Sequence, residues 1–187
     1  MILVASLGSP AGSSQTFFWH PSPAALFLLE DTTMTLSELL VPEGVALDVS
    51  VRTKEDAIQT AVDLLAGAGI VAQKGQVVRA LVERERIMST GIGNGIAIPH
   101  SQSSAVQRLA LGILRPRDGI DFEALDGKPV RLILTIVGPE ERGGFIRVLA
   151  RVSRLLQDGS LQKKLLKARS PEDVISAIGH EEEKLRS

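Results

Sequence analysis

Apolar and polar positions along the chain from Val45 onward switch between two periods. Ala57, Ile58, Ala61, Val62 and Leu65 recur at helical spacing, with Thr53 placed to cap the helix and Gly67 and Gly69 to end it near Ala66. A second helical stretch runs from about Lys74 to Met88, and a third from about Gly144 to Gln157. Short helices are expected at Leu161 to Lys167 and from Ser170. There Ser-Pro-Glu-Asp supplies a cap, a proline at the first helical position and acids in the first turn. Between the helices, β-type runs lie at Val45 to Val49, Gly95 to Ile98, Arg108 to Leu114 and Val130 to Val137. The last is apolar enough for a sheet centre, and Asp126-Gly127 marks a turn before it. The alternation predicts an α/β fold, a single domain with a mixed β-sheet flanked by α-helices.

The composition changes near Met34. Residues 1–33 contain no Lys or Arg, only Glu30 and Asp31 as charges, a Gly/Ser/Pro-rich middle from Gly8 to Pro23, and four of the six aromatics, Phe17, Phe18, Trp19 and Phe27. This stretch is expected to be an irregular extension, either disordered or lying upstream of a true start at Met34. Ile2-Leu3-Val4-Ala5 lacks the preceding cation of a secretory signal. The domain 34–187 then holds all 21 Lys and Arg and 20 of the 22 acids, net +1, within a chain of net charge −1. No general attraction to nucleic acid or anionic membrane follows from that balance. With only Phe122 and Phe145 as aromatics, the domain also offers no stacking platform for nucleic acid. Absence of cysteine excludes disulfides, thiolate metal sites and a cysteine nucleophile, and it is compatible with a reducing cytoplasm. No apolar run approaches the roughly 20 residues of a membrane-spanning helix, so direct membrane insertion is not expected.

Chemistry concentrates in Ser89-Thr90-Gly91-Ile92-Gly93-Asn94-Gly95-Ile96-Ala97-Ile98-Pro99-His100. Glycines at alternate positions permit positive φ or close backbone approach, and a short β-type run delivers His100 behind a proline, at a strand's end. The spacing lacks the Lys-Ser/Thr of a phosphate-binding loop and enters a strand where a dinucleotide fingerprint needs a helix. His20 and His180 are remote in sequence, so no metal-ligand spacing arises. On the helix before this run, Arg84 and Glu85 fall within the face defined by Val77, Ala80, Leu81, Val82, Ile87 and Met88, while Arg79, Glu83 and Arg86 lie opposite. Spacing alone leaves two readings of that pair: a structural ion pair or snorkelling cation, or a functional group.

Arg84-Glu85 followed by Thr90-Gly91-Ile92-Gly93-x-Gly95-Ile96-Ala97-Ile98-Pro99-His100 resembles the signature of the fructose/mannitol-type EIIA domains of the bacterial phosphotransferase system. Gly119-Ile120-Asp121-Phe122-x-Ala124-Leu125-Asp126-Gly127-Lys128-Pro129-Val130 resembles that family's next characteristic stretch, and the likeness covers about Leu36 to Ile178. Within the family the chain looks most like the nitrogen-related regulatory proteins. The resemblance implies that His100 accepts a phosphoryl group from a phosphohistidine carrier, HPr or its nitrogen-type counterpart. It also implies that Arg84 stabilises that group, with Glu85, Thr90, Gly91, Gly93, Gly95, Pro99 and Phe145 in support. No cofactor or metal is called for. The implied partners are the carrier and either regulated proteins or the EIIB domain of a permease, in the cytoplasm. The chemistry suits the residue, because a neutral imidazole has one nitrogen free to attack and another that an acceptor can orient.

One departure matters. Many members of the family carry a second histidine at the start of the helix after the strand-then-proline segment, and Phe145 occupies what looks like that place. Without that donor, transfer is expected to be slowed or altered, and a non-catalytic binding module becomes an alternative. The same helix sets Arg147, Arg151 and Arg154 on one face, opposite Ile146, Val148, Leu149, Val152, Leu155 and Leu156. That stripe reads as a solvated face or as a dock for an acidic protein.

Overall fold

In the computed structural model, which describes residues 35–140, 143–157 and 159–186, Thr35 opens a short helix with a complete capping box. Its side chain accepts from Glu38 N at 3.2 Å, and the Glu38 carboxylate accepts from Thr35 N at 2.7 Å. That helix, α1 (Leu36–Leu39), leads directly into β1 (Leu40–Val49), so the first strand starts earlier than Val45. The pairing skips between Leu40 and Val45, and this irregularity hides the first half of the strand from a period-2 reading. The expected extension, 1–33, lies outside the described residues.

Helix α2 (Lys54–Gly67) is capped as its sequence predicts, Thr53 Oγ1 accepting from Asp56 N at 3.0 Å. It ends in a left-handed turn at Gly69, whose φ is 71°, with Ile70 N donating back to Leu65 O and Gly69 N to Ala66 O. Helix α3 (Lys74–Ile87) follows, then β2 (Gly91–Gly93), β3 (Ile96–Ala97) and β4 (His100–Gln102). Strands β5 (Ala110–Pro116) and β6 (Leu132–Gly138) come next, then helices α4 (Phe145–Leu155), α5 (Ser160–Lys167) and α6 (Pro171–Arg186). Ser170 caps α6 by accepting from Asp173 N at 3.2 Å.

The six strands form one mixed sheet in the order β1-β5-β6-β3-β2, with β4 also on β6. Strands β5 and β6 are antiparallel and buried along their whole length, as an apolar run at a sheet centre requires. Alternation along β6 sends Leu132, Leu134 and Ile136 into one core and Ile133 and Val137 into the other. The first core is completed by α1, α4, α5 and α6, and the second by α2 and α3. Burying each such Leu or Ile contributes roughly 1.5–3 kcal/mol.

Strands β3 and β4 run parallel to β6 with one unbroken offset: Ala97 faces Ile133 and His100 faces Ile136. Pro99, lacking an N–H, interrupts the ladder between them, yet its carbonyl accepts from Ile136 N at 2.9 Å. His100 is therefore fixed in register as the first residue of β4, opposite Ile136, two residues before the end of β6.

Candidate functional site

The site begins with the imidazole of His100, which is half-buried. Its Nδ1 lies 2.8 Å from Ile98 O, and a carbonyl can only accept, so Nδ1 carries the proton and Nε2 holds the lone pair. Arg84 Nε donates to that Nε2 at 3.2 Å, while Arg84 Nη1 donates to Met88 O at 3.0 Å. Burial, first of all, pulls the His100 pKa below its ordinary value. The Arg84 charge lowers it further, against the opposing effects of the Ile98 carbonyl and Glu85. The neutral, nucleophilic ring is thereby favoured.

Glu85 lies one residue on from Arg84 and is 4% exposed. Its carboxylate accepts from Thr90 N at 3.2 and 3.1 Å and from Thr90 Oγ1 at 2.6 Å. Thr90 O in turn accepts from Ile98 N at 3.0 Å, and Ile98 O receives the His100 ring. The pair that stood inside an apolar helix face thus does two jobs: Arg84 touches the ring, and Glu85 holds the backbone that orients it.

The glycine run has its own physical reasons. A Cβ on Gly91 would lie 2.8 Å from the Cα and Cβ of Ala124, because the 119–130 segment packs directly on β2. That segment is tied down by Leu125 N to Gly91 O at 3.0 Å and Ser89 Oγ to Phe122 O at 2.7 Å. Strands β2 and β3 are joined by a two-residue turn, Asn94-Gly95, with φ of 54° and 76°. This is the Asn-Gly hairpin in which both central residues take positive φ. Asp126 Oδ2 accepts from Asn94 N at 2.9 Å, and that N–H, with the one from Lys128, holds the Asp126 carboxyl below its usual pKa.

Phe145, the first residue of α4, sets its ring centroid 6.3 Å from that of His100 at an interplanar angle of 47°. It is 7% exposed and belongs to the first core. His100, Arg84, Glu85, Thr90, Pro99 and Phe145 are brought together, while Gly91, Gly93 and Gly95 shape the hairpin that precedes the histidine. Two apolar expectations fail. Ile87 and Met88 are 82% and 62% exposed because α3 stops at Ile87 and Met88 is extended, so the wheel no longer applies there. Ile146 is 71% exposed because the face of α4 turned to the core carries Phe145, Val148, Val152 and Leu155, with Leu149 packed partly buried against it. Together with Ile92 and Leu125, these make five exposed large apolar side chains on the segments that build the site. Sequence reasoning missed two contributors, the carbonyls of Ile98 and Met88. Backbone acceptors leave no residue-type signal.

Among the described residues no three His, Asp or Glu side chains gather to hold a metal ion, and no helix is long and apolar enough to cross a membrane.

Residues 38–181 match the family model described as phosphoenolpyruvate-dependent sugar phosphotransferase system, EIIA 2. Over 146 residues the chain is 36% identical to the fructose-specific EIIABC component of Bacillus subtilis, covering 78% of this chain but only 23% of that longer protein. It is 32% identical over 148 residues to a nitrogen regulatory protein of Bradyrhizobium diazoefficiens, covering 78% of this chain and 95% of the other. The crystal structure of nitrogen regulatory protein IIA-Ntr from Neisseria meningitidis superposes with a TM-score of 0.70 at 30% identity, over 76% of this chain and 97% of that one. The chain belongs to the EIIA 2 family of the phosphoenolpyruvate-dependent sugar phosphotransferase system.

Proposed function

We propose that His100 accepts a phosphoryl group on Nε2 from the phosphohistidine of an HPr-type carrier, and that the protein acts on partner proteins according to that state. The observation that carries this reading is the orientation of the ring: Nδ1–H is held by Ile98 O, and the free lone pair faces an arginine. In the transfer, the P–N bond to the carrier's imidazole breaks as a P–N bond to Nε2 forms. The electron pair returns to the carrier's ring nitrogen, and the proton on Nδ1 stays against Ile98 O. Arg84 releases the lone pair and turns its planar fork of donors to the phosphoryl oxygens, where positioning and charge stabilisation supply most of the catalysis.

The exposed apolar side chains around the site suit docking of a protein donor. The match to nitrogen regulatory proteins over nearly their whole length supports a regulatory role in the cytoplasm, carried by the domain 34–187. A phosphohistidine adds charge and acceptor oxygens to this surface, enough to favour or forbid a partner. The fructose-specific relative supports a second reading, transfer onward to the EIIB domain of a permease. Phe145 supports a third, a binding module without transfer, because its ring cannot donate a hydrogen bond to a phosphoryl oxygen.

The test is incubation with labelled phosphoenolpyruvate, enzyme I and the carrier. Acid-labile label should appear in the wild type and vanish in His100→Ala, whose fold is unchanged by circular dichroism. No incorporation at any carrier concentration leaves the binding module. Proteins retained differently by the phosphorylated and free forms separate regulation from sugar uptake.

A further inference from the structure

We propose that Glu85 is a positioning residue for the phosphorylated ring: it keeps Nδ1 of His100 protonated after transfer, so that the phosphoryl group can leave again. This deepens the phosphotransfer reading and rests on it. When Nε2 bonds to phosphorus while Nδ1 keeps its proton, the ring becomes a cation. From that form the P–N bond breaks with its electron pair returning to Nε2, and the leaving group is a neutral imidazole. From a ring that has lost the Nδ1 proton, the leaving group would be an imidazolate, a far stronger base that leaves far more slowly. The fate of one proton therefore decides whether the phosphorylated site is a donor or a dead end.

The backbone beside the ring favours the proton. Ile98 O lies 2.8 Å from Nδ1 and can only accept. The same peptide unit ends in the nitrogen of Pro99, which has no hydrogen, so it cannot turn to offer a donor to an unprotonated Nδ1. Loss of the proton would set one lone pair against another. The carbonyl is in turn anchored through Glu85: the carboxylate, 4% exposed, accepts from Thr90 N at 3.2 and 3.1 Å and from Thr90 Oγ1 at 2.6 Å, and Thr90 O accepts from Ile98 N at 3.0 Å.

A structural tie alone does not need a carboxylate. Both donors come from Thr90, and a neutral side-chain amide could accept from them at a lower cost of burial. Among the described residues no Lys or Arg pairs with Glu85: Arg84 is turned to the ring and to Met88 O, and Lys54, which feels the Glu85 charge, gives its ammonium to Glu123 at 2.6 Å. A cation formed on His100 is the charge that offsets this buried carboxylate. In the free ring the Glu85 charge already favours protonation, against burial and Arg84. Those two residues of α3 are the charged groups that act on the ring among the described residues, and α4 presents the uncharged Phe145 to it. The consequence is reversibility: with Nδ1 protonated the phosphoryl group passes both ways, and the state of His100 follows that of the carrier.

Phosphoramidate, a small phosphoryl donor, can load His100 in the full chain without the carrier, and NMR of ring nitrogens then reads the protonation of Nδ1 against pH. The wild-type midpoint should lie above that of the same loaded chain unfolded in urea. In Glu85→Gln it should fall by about one pH unit, the effect of removing one nearby charge. Above both midpoints, return of the phosphoryl group to the unphosphorylated carrier should then slow by about tenfold, in step with the protonated fraction. Glu85→Asp, which keeps the charge one methylene further away, should fall in between, and it carries the test if the glutamine variant does not fold. Midpoints unmoved in both variants, with only the melting temperature changed, make Glu85 a structural tie and overturn the proposal, as does a wild-type midpoint below that of the unfolded chain. If the carrier never labels the wild type but the chemically loaded ring shows these shifts, the phosphotransfer reading has failed and the role of Glu85 stands. A ring that neither reagent nor carrier loads overturns both.

Discussion

Arg115, near the end of β5, and Arg84, in the last turn of α3, are both drawn out of bulk water, yet their donors meet different surroundings. Arg115 is 9% exposed, and its Nη1 donates to the carbonyls of Leu165, Leu166 and Ala168 at 3.1, 3.0 and 2.7 Å, while Nη2 pairs with Asp48 at 3.0 Å. Those carbonyls belong to the end of α5, which would otherwise lack partners, and a cation there also meets the negative end of the helix dipole. Arg84 gives one bond to Met88 O and one to a ring nitrogen, at the half-buried edge of the fold. The difference teaches how a structural cation can be told from one proposed for chemistry: Arg115 is matched by fixed acceptors, whereas Arg84 sets its donors beside the lone pair of a ring that, in the proposed reading, receives an anion.

Reciprocal substitutions break this comparison most directly. Arg115→Ala should lower stability by about 3 kcal/mol, since charged hydrogen bonds are lost and helix-end carbonyls are left without partners, while the folded protein takes phosphate at the wild-type rate. Arg84→Ala should do the reverse, slowing transfer by about 10²- to 10³-fold with little change in melting temperature. Arg84→Lys should recover only part of the rate, because a point charge lacks the fork. Paired thermal melts and labelling time courses measure both axes. A larger stability loss at Arg84 than at Arg115 would remove the distinction.

Phe145→His sharpens the same contrast by adding a donor where the site has one arginine. Transfer should quicken by up to about 10²-fold if the missing hydrogen bond limits it. The ring also packs on Gly138, where a Cβ would come within 3.0 Å of Phe145 Cδ2, and belongs to the first core. The same substitution should therefore lower the melting temperature by a few degrees, the effect of roughly 1 kcal/mol in a domain this size. A faster, less stable variant supports a donor-poor site; an unchanged rate makes the phenylalanine neutral to the chemistry.

Much of the scaffold was legible because single residues impose local geometry. Thr53, Gly69, Ser170 and Pro171 set helix ends where expected, and the apolar run of β6 proved to be the sheet centre. The family signature pointed to His100 and Arg84, which the fold brings within 3.2 Å of each other. What escaped falls into two kinds. Some signals were present and overlooked: Thr35 to Glu38 spells a capping box, and Asn94-Gly95 is a hairpin turn. Others are not in the residue types at all. That Ile98 offers its carbonyl to the ring two residues on depends on how β3 and β4 lie along β6, and Ile87, Met88 and Ile146 look like core residues to any rule that equates apolar with inward.

The smallest expected effect is on the titration of His100, and it tests whether Arg84 acts there as a charge. A protonated ring has no lone pair on Nε2, so transfer requires the neutral form. Burial and then Arg84 depress the pKa, which enlarges the neutral fraction below about pH 6.5, whereas at pH 7 the ring is already mostly neutral and the rate differs by less than about twofold. The transfer rate should thus rise with pH through a midpoint below the ordinary histidine value and then stay level. By the same sign, the folded state loses stability as pH falls from that ordinary value through the depressed one, because the unfolded chain binds the proton more readily. Arg84→Met removes the positive charge while keeping most of the bulk, so the midpoint should move upward toward the ordinary value. The chain's three histidines allow the shift to be followed by NMR of ring protons, with His100→Ala assigning the signal. A midpoint that does not move in Arg84→Met would mean that burial alone sets it, leaving Arg84 a hydrogen-bond donor to the ring.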